Sequence, residues 1–186
     1  MPDLRRTTPV AALLPALTLL LAACGGEEVG AKPELPTETP ALWNPCDALD
    51  AAFVKEQFGV DATEHAGTPT KPECRFTPVD SASGEAVVTS NYLLFPGSLE
   101  DAWKTMGQQP DADVRTPEIA GADDARVVVS ATDEQLYVTG FVQNGDLIQQ
   151  VDVVDPAPYD DGRIVRGVEA TLTLLSAHAS DSGVGS

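Results

Sequence analysis

Carboxylates dominate the side chains that could do chemistry in this 186-residue chain, with 29 acidic residues against 11 basic ones and 2 histidines. Twelve of the acids fall between Gly107 and Asp161, accompanied only by Arg115 and Arg126. Such groups can gather a hard cation or work as an acid–base pair. A calcium site needs about six to eight converging oxygens, often around a sharp glycine turn. Asp152, Asp155, Asp160 and Asp161 run up to Gly162, but without the spacing of a calcium loop, and Asp111 with Asp113 has no such context. Helix capping and solvation account for these acids more simply. Nucleophilic catalysis has less support still. His65 and His178 stand in no catalytic order with a serine or cysteine. The Gly-x-Ser-x-Gly, Ser-x-x-Lys and His-Glu-x-x-His patterns are missing, as are phosphate-binding glycine loops. The sequence therefore reads as that of a non-enzymatic protein without metal or cofactor.

The three cysteines carry more information. Cys24 follows a basic start at Arg5 and Arg6 and an apolar run from Val10 to Ala23. That is the charged region, short hydrophobic stretch and small-residue cleavage site of an export signal over residues 1–23. The run falls short of the roughly 20 apolar residues that a membrane-spanning helix needs. Leu21-Ala22-Ala23-Cys24 resembles the lipobox of bacterial lipoproteins. The resemblance implies that the Cys24 thiol receives a diacylglyceryl group and that cleavage makes Cys24 the first residue. Two or more acyl chains anchor a protein stably. The expected location is the outer face of the cytoplasmic membrane, held there by lipid. Cys46 and Cys74 then remain as an even pair in an oxidising compartment, which reads as one disulfide.

Removing Arg5, Arg6 and Asp3 with the leader leaves 9 basic and 28 acidic residues, a formal charge of −19. That charge opposes binding to nucleic acid and to anionic headgroups. Its plain reading is a solvated surface; the sharper one is a docking face for a basic partner or for divalent cations.

Residues 24–42 hold Gly25-Gly26-Glu27-Glu28 and prolines 33, 36 and 40, and read as a lipidated start followed by a semi-extended tether. Residues 43–178 make one domain, and a disordered tail is expected over 179–186. Asn44-Pro45-Cys46-Asp47 is a helix start, with Cys46, Leu49 and Phe53 on one face and Gly59 as the stop. Trp43 just before it reads as a staple on the edge of the domain or, less simply, as an exposed contact. Strands are expected at Glu73 to Thr77 and Glu85 to Phe95, with His65 in a loop before them. A second helix opens at Ser98 and turns Leu99, Trp103 and Met106 to one side. Arg126 to Ala131 is a third strand. Asn144-Gly145 reads as a two-residue hairpin turn, pairing Val142 with Leu147, Val138 with Val151 and Leu136 with Val153. The other face of that hairpin carries Tyr137, Thr139, Phe141, Ile148, Gln150 and Asp152 and is only partly apolar. Asp160 or Asp161 caps a last helix whose apolar face is Ile164, Val168, Leu172 and Leu175. Gly140 in mid-strand marks a bulge or a close approach. The expected fold is α+β: an antiparallel sheet of about five strands packed by three helices.

The lipobox, the proline-rich tether, Asn44-Pro45-Cys46-Asp47 and Cys74-Arg75-Phe76 together resemble the actinobacterial lipoprotein family catalogued as domain of unknown function 3558. The likeness spans roughly Trp43 to Ala177, with Phe76 where that family often has tryptophan. It implies a cell-envelope lipoprotein with a Cys46–Cys74 bridge and supplies no activity. The element order also resembles the PsbP-like α/β/α sandwich, an analogy of fold that carries no function. The function expected from these readings is a non-enzymatic binding or adaptor module of the envelope. It would contact an envelope protein partner through Tyr137, Phe141 and Asp152. The alternative is a carrier of a small apolar ligand, such as an envelope lipid, held between the sheet and a helix.

Overall fold

The computed structural model describes residues 43–68, 70–107 and 112–184. Seven strands are present: β1 (Ala62–Thr68), β2 (Lys71–Pro78), β3 (Val87–Leu94), β4 (Asp113–Arg115), β5 (Asp124–Ala131), β6 (Gln135–Asn144) and β7 (Leu147–Pro156). Three α-helices accompany them: α1 (Ala51–Phe58), α2 (Leu99–Thr105) and α3 (Asp161–Ser182). The strands form one antiparallel sheet in the order β1-β2-β3-β7-β6-β5-β4.

Side chains alternate between faces along a strand. On β6 and β7 that alternation sends Leu136, Val138, Val142, Val151 and Val153 to one side, all of them buried. There they meet Ile164, Val168, Leu172 and Leu175 of α3 in the main core. Asp160 caps α3 by accepting from the Arg163 amide at 3.0 Å. Gly140 lets the helix settle: a Cβ at that position would stand 2.5 Å from Val168 Cγ1 and 3.2 Å from the nearest Leu172 methyl. Close approach of α3, and not a bulge, is what this glycine serves.

The first predicted helix is split. A short 3-10 turn spans Pro45–Asp47 under the Asn44 side chain, which accepts from the Cys46 amide. The α-helix starts afresh at Ala51, where Asp50 accepts from the Phe53 amide at 2.7 Å. Two competing caps, at 44 and 50, divide what the apolar spacing joined. Cys46 therefore sits on the turn, half-buried, and not on a helix face. The turn still brings it to β2, and the Cys46–Cys74 disulfide closes with a Cα separation of 5.1 Å. Val54 and Phe58 complete the same layer as α3, with the Phe58 ring against Gly167. The α1 C-cap, Gly59, is left-handed at φ +79°, and the Arg163 guanidinium lies over it, where a cation complements the helix dipole.

Four further expectations need correction. The sheet has seven strands and not five, because β1 and β4 were unread. Both are edge strands with mostly exposed side chains, so neither carries the alternating pattern of a half-buried strand. His65 accordingly lies on β1, its Nε2 2.9 Å from Thr77 Oγ1, and not in a loop. The β6–β7 register is displaced by two residues: Asn144 faces Leu147, Val138 faces Val153 and Leu136 faces Asp155. Gly145 and Asp146 form the turn, and Asn144 stays in the ladder. It is held there by donating from Nδ2 to the Gly121 carbonyl at 2.9 Å and to Ser176 Oγ at 3.0 Å. A shift of two preserves the facing of every side chain, so the apolar stripe survives the error. Lastly, α3 runs to Ser182 with Ala179 fully buried against Trp43 and Leu147, where a frayed tail was expected from 179.

Replacing Gly140 with alanine should cost about 1–3 kcal/mol through overpacking against α3, measured as a lowered urea midpoint at unchanged slope. Replacing both Cys46 and Cys74 with serine should remove about 3–4 kcal/mol, the chain-entropy value for a closed loop of this length.

Candidate functional site

Among the described residues, the outer face of the sheet, opposite α3, is covered at one end only. Leu99 and Ala102 of α2 bury against Phe141 and Ile148, with Leu93, Trp103, Met106 and Val128 packed around them. Gln143 fixes this helix to the sheet. Its Oε1 accepts from the Leu99 amide, and its Nε2 donates to the Gly97 carbonyl at 2.7 Å and the Gly145 carbonyl at 2.8 Å. Ser98 caps α2 by accepting from the Asp101 amide at 3.1 Å.

Beyond Trp103 and Met106 the face opens into a groove of about 680 Å³. Val128, Ser130, Tyr137, Thr139, Phe141 and Gln150 form its floor from three adjacent strands. They share a face because Ser130 pairs with Tyr137, Val128 with Thr139, and Phe141 with Gln150. Tyr137 is 40% exposed, while Phe141 is buried under the edge of Trp103 at 5.9 Å between ring centroids. Asp152 lies across from Thr139 and ties the polar floor together. Thr139 Oγ1 donates to one of its carboxylate oxygens at 2.8 Å and Gln150 Nε2 to the other at 2.7 Å.

Arg126 supports the wall. Its guanidinium carbon stands 4.8 Å from the centroid of the Trp103 ring, a cation–π contact, and the group pairs with Glu100 and Asp124. The hydrogen bond and charge of Arg126 hold the Glu100 carboxyl below the usual range. At the far end of the sheet, burial pushes the Asp155 carboxyl up, against the opposing pull of Arg163.

The structure thus gathers Tyr137, Phe141 and Asp152, the residues expected to meet a partner, on one face around one groove. Among the described residues the acids do not form a matching patch. Asp123, Asp124 and Asp146 lie at the hairpin end of the central strands, while Asp133, Glu134, Asp155, Asp160 and Asp161 lie at the other. Cys24 and Asp111 fall outside the described residues. Trp43 is buried, donating its Nε1 hydrogen to Gln149 Oε1 at 3.0 Å and packing on His178 at 4.7 Å between centroids. Among the described residues Cys46, Glu64 and Cys74 come together as potential metal ligands, but the two sulfurs are consumed by the disulfide. No helix among the described residues is long and apolar enough to cross a membrane.

Sequence reasoning missed Gln143, Arg126 and Glu100 as parts of this wall. Gln143 had a readable signal, since it shares the parity of Tyr137 and Phe141 along β6. The Arg126–Glu100 pair spans 26 residues and left none.

The class of protein defined by this fold and site is an α+β domain with a seven-stranded antiparallel sheet and an open ligand-sized groove on one face. No family model matches the chain, and no curated protein and no solved structure matches it.

Because the folded Glu100 carboxyl titrates below its unfolded value, the stability its ion pair contributes is fully present above the ordinary glutamate range and is lost as pH falls through the lowered folded value. Acidification through that window should change Trp103 emission as Arg126 loosens. A Glu100→Gln variant should lack the transition; an unchanged titration in that variant would mean that Glu100 does not hold the wall.

Proposed function

We propose that this protein is a lipid-anchored, non-enzymatic binding module on the outer face of the cytoplasmic membrane, and that the groove beside α2 is its binding site. The groove carries the reading. Its volume lies within the roughly 300–1,000 Å³ typical of small-ligand sites, and it mixes aromatic surface with a few convergent polar groups. Support for the anchor comes from the leader and Leu21-Ala22-Ala23-Cys24. Likeness to the lipoproteins of domain of unknown function 3558 rests on Asn44-Pro45-Cys46-Asp47 and Cys74-Arg75-Phe76, and the PsbP-like analogy on element order alone. The acids divided between two ends of the sheet favour solvation over one acidic docking face.

The carrier reading has one observation in its favour. Trp103, Met106, Val128 and Phe141 give the groove an apolar side. The layer between sheet and α3, by contrast, is filled by interlocking side chains, with α3 seated directly on Gly140.

Two measurements test the proposal. Cys24→Ser should move the protein from the membrane fraction to the soluble exported fraction and abolish palmitate labelling; retention in the membrane would refute the lipid anchor. Native mass spectrometry of the full chain, after incubation with an envelope extract, should show a small-molecule adduct. That adduct should disappear with Met106→Asp, and an adduct indifferent to the change would place the site elsewhere.

A further inference from the structure

The geometry points to a neutral oligosaccharide as the ligand of the groove, with Tyr137 as its stacking platform and Thr139 and Gln150 as its hydrogen-bonding edge. This deepens the binding-module reading and rests on the groove being the ligand site.

Charge is the first argument. The chain carries a net −18, yet among the described residues no side chain lining the groove is charged. The cation against its wall, Arg126, is already matched by Glu100 and Asp124. A neutral groove gives a cationic peptide no specific partner, and the surrounding negative field repels an anionic lipid or nucleic acid. A ligand that needs no counter-charge suits this lining.

Shape is the second. The groove is open along one side, and Ser130, Thr132, Thr139 and Gln150 interrupt its apolar surface. An acyl chain gains most from an enclosed, apolar site, and here it would strip water from hydroxyl and amide groups without offering them a hydrogen bond. A sugar ring has the complementary character. One of its faces presents C–H groups that rest on an aromatic ring, and its rim presents hydroxyls that both donate and accept.

The third argument is preorganisation. Thr139 spends its hydroxyl proton on Asp152, so its oxygen is turned into an acceptor. Gln150 spends one amide hydrogen on the same carboxylate and keeps its carboxamide oxygen as an acceptor. Both side chains are held before any ligand arrives, which lowers the ordering cost of each new hydrogen bond. Asp152 acts here as a positioning residue. Tyr137, 40% exposed and next to this edge, offers ring surface that the fold does not use.

The test titrates the full chain with maltotriose, mannotriose and galactotriose as neutral probes, trigalacturonate as a charged one and monolaurin as an apolar one. Saturation-transfer NMR reports contact, and intrinsic fluorescence reports affinity. At least one neutral trisaccharide should bind and trigalacturonate should not. Tyr137→Ala should weaken that binding about tenfold, while Tyr137→Phe, which keeps the ring, should retain it. Because Tyr137 is exposed, an unchanged melting temperature and far-ultraviolet dichroism in Tyr137→Ala certify the fold independently of binding. Monolaurin binding that is lost in Tyr137→Ala, without any trisaccharide bound, would overturn the sugar assignment and leave the groove as the ligand site. Failure of every probe would overturn both. Trisaccharide binding unaffected by Tyr137→Ala would overturn the platform.

Discussion

The seating of α3 on the bare backbone of Gly140 is the contact on which the rest of the domain depends. Val168 and Leu172 reach the centre of the sheet only because no Cβ stands there. That approach buries the apolar faces of β5, β6 and β7 in one layer and leaves room beside α3 for α1, whose Phe58 ring closes on Gly167. It also commits the opposite face of the same strands to a thinner cover. α2, a helix of 7 residues, spans only one end of that face. An open sheet surface beside a short helix is what creates the groove.

Apolar packing alone would leave the strands free to slide by two residues without exposing any hydrophobic side chain. Buried polar groups remove that freedom. Asn144 joins the end of β6 to Ser176 on α3 and to the Gly121 carbonyl. Fully buried Gln149 accepts from Trp43 and donates to the Leu175 carbonyl. Gln143, on the reverse face, ties the same strand end to the start of α2. Each of these groups would lose a partner on any shift of register, and an unsatisfied buried polar group costs about 1–3 kcal/mol. The polar residues near the hairpin tip therefore set alignment, while the apolar ones set facing.

Electrostatics follows the same division between structure and surface. Arg126 is largely buried at one end of its side chain, stacked on Trp103 and answered by Glu100 and Asp124. Of the other described acids, many lie at strand ends and turns, and some cap helices. Their number governs solubility and long-range repulsion, while the described side chains that line the groove carry no charge.

Facing and element starts were legible in the sequence, because they are local. The alternation of Leu136, Val138 and Val142, the spacing of Ile164, Val168, Leu172 and Leu175, and the caps at Ser98 and Asp160 each lie within a few residues of one another. The pairing of Cys46 with Cys74 followed from counting thiols. The outer-face set of Tyr137, Phe141 and Asp152 was readable from parity alone. What only the tertiary structure decided was non-local. The register of β6 on β7 depends on a bond from Asn144 to a helix 32 residues away. The edge strands β1 and β4 exist because a neighbour offers them hydrogen bonds, not because their own side chains demand a buried face. The break between the 3-10 turn and α1 is a choice between two caps of similar strength, and in the folded chain the turn at 45–47 lies against β2 while α1 lies against α3. The groove, finally, is a space between elements. No single segment encodes it, since its wall comes from α2 and its floor from strands that meet only when the sheet closes.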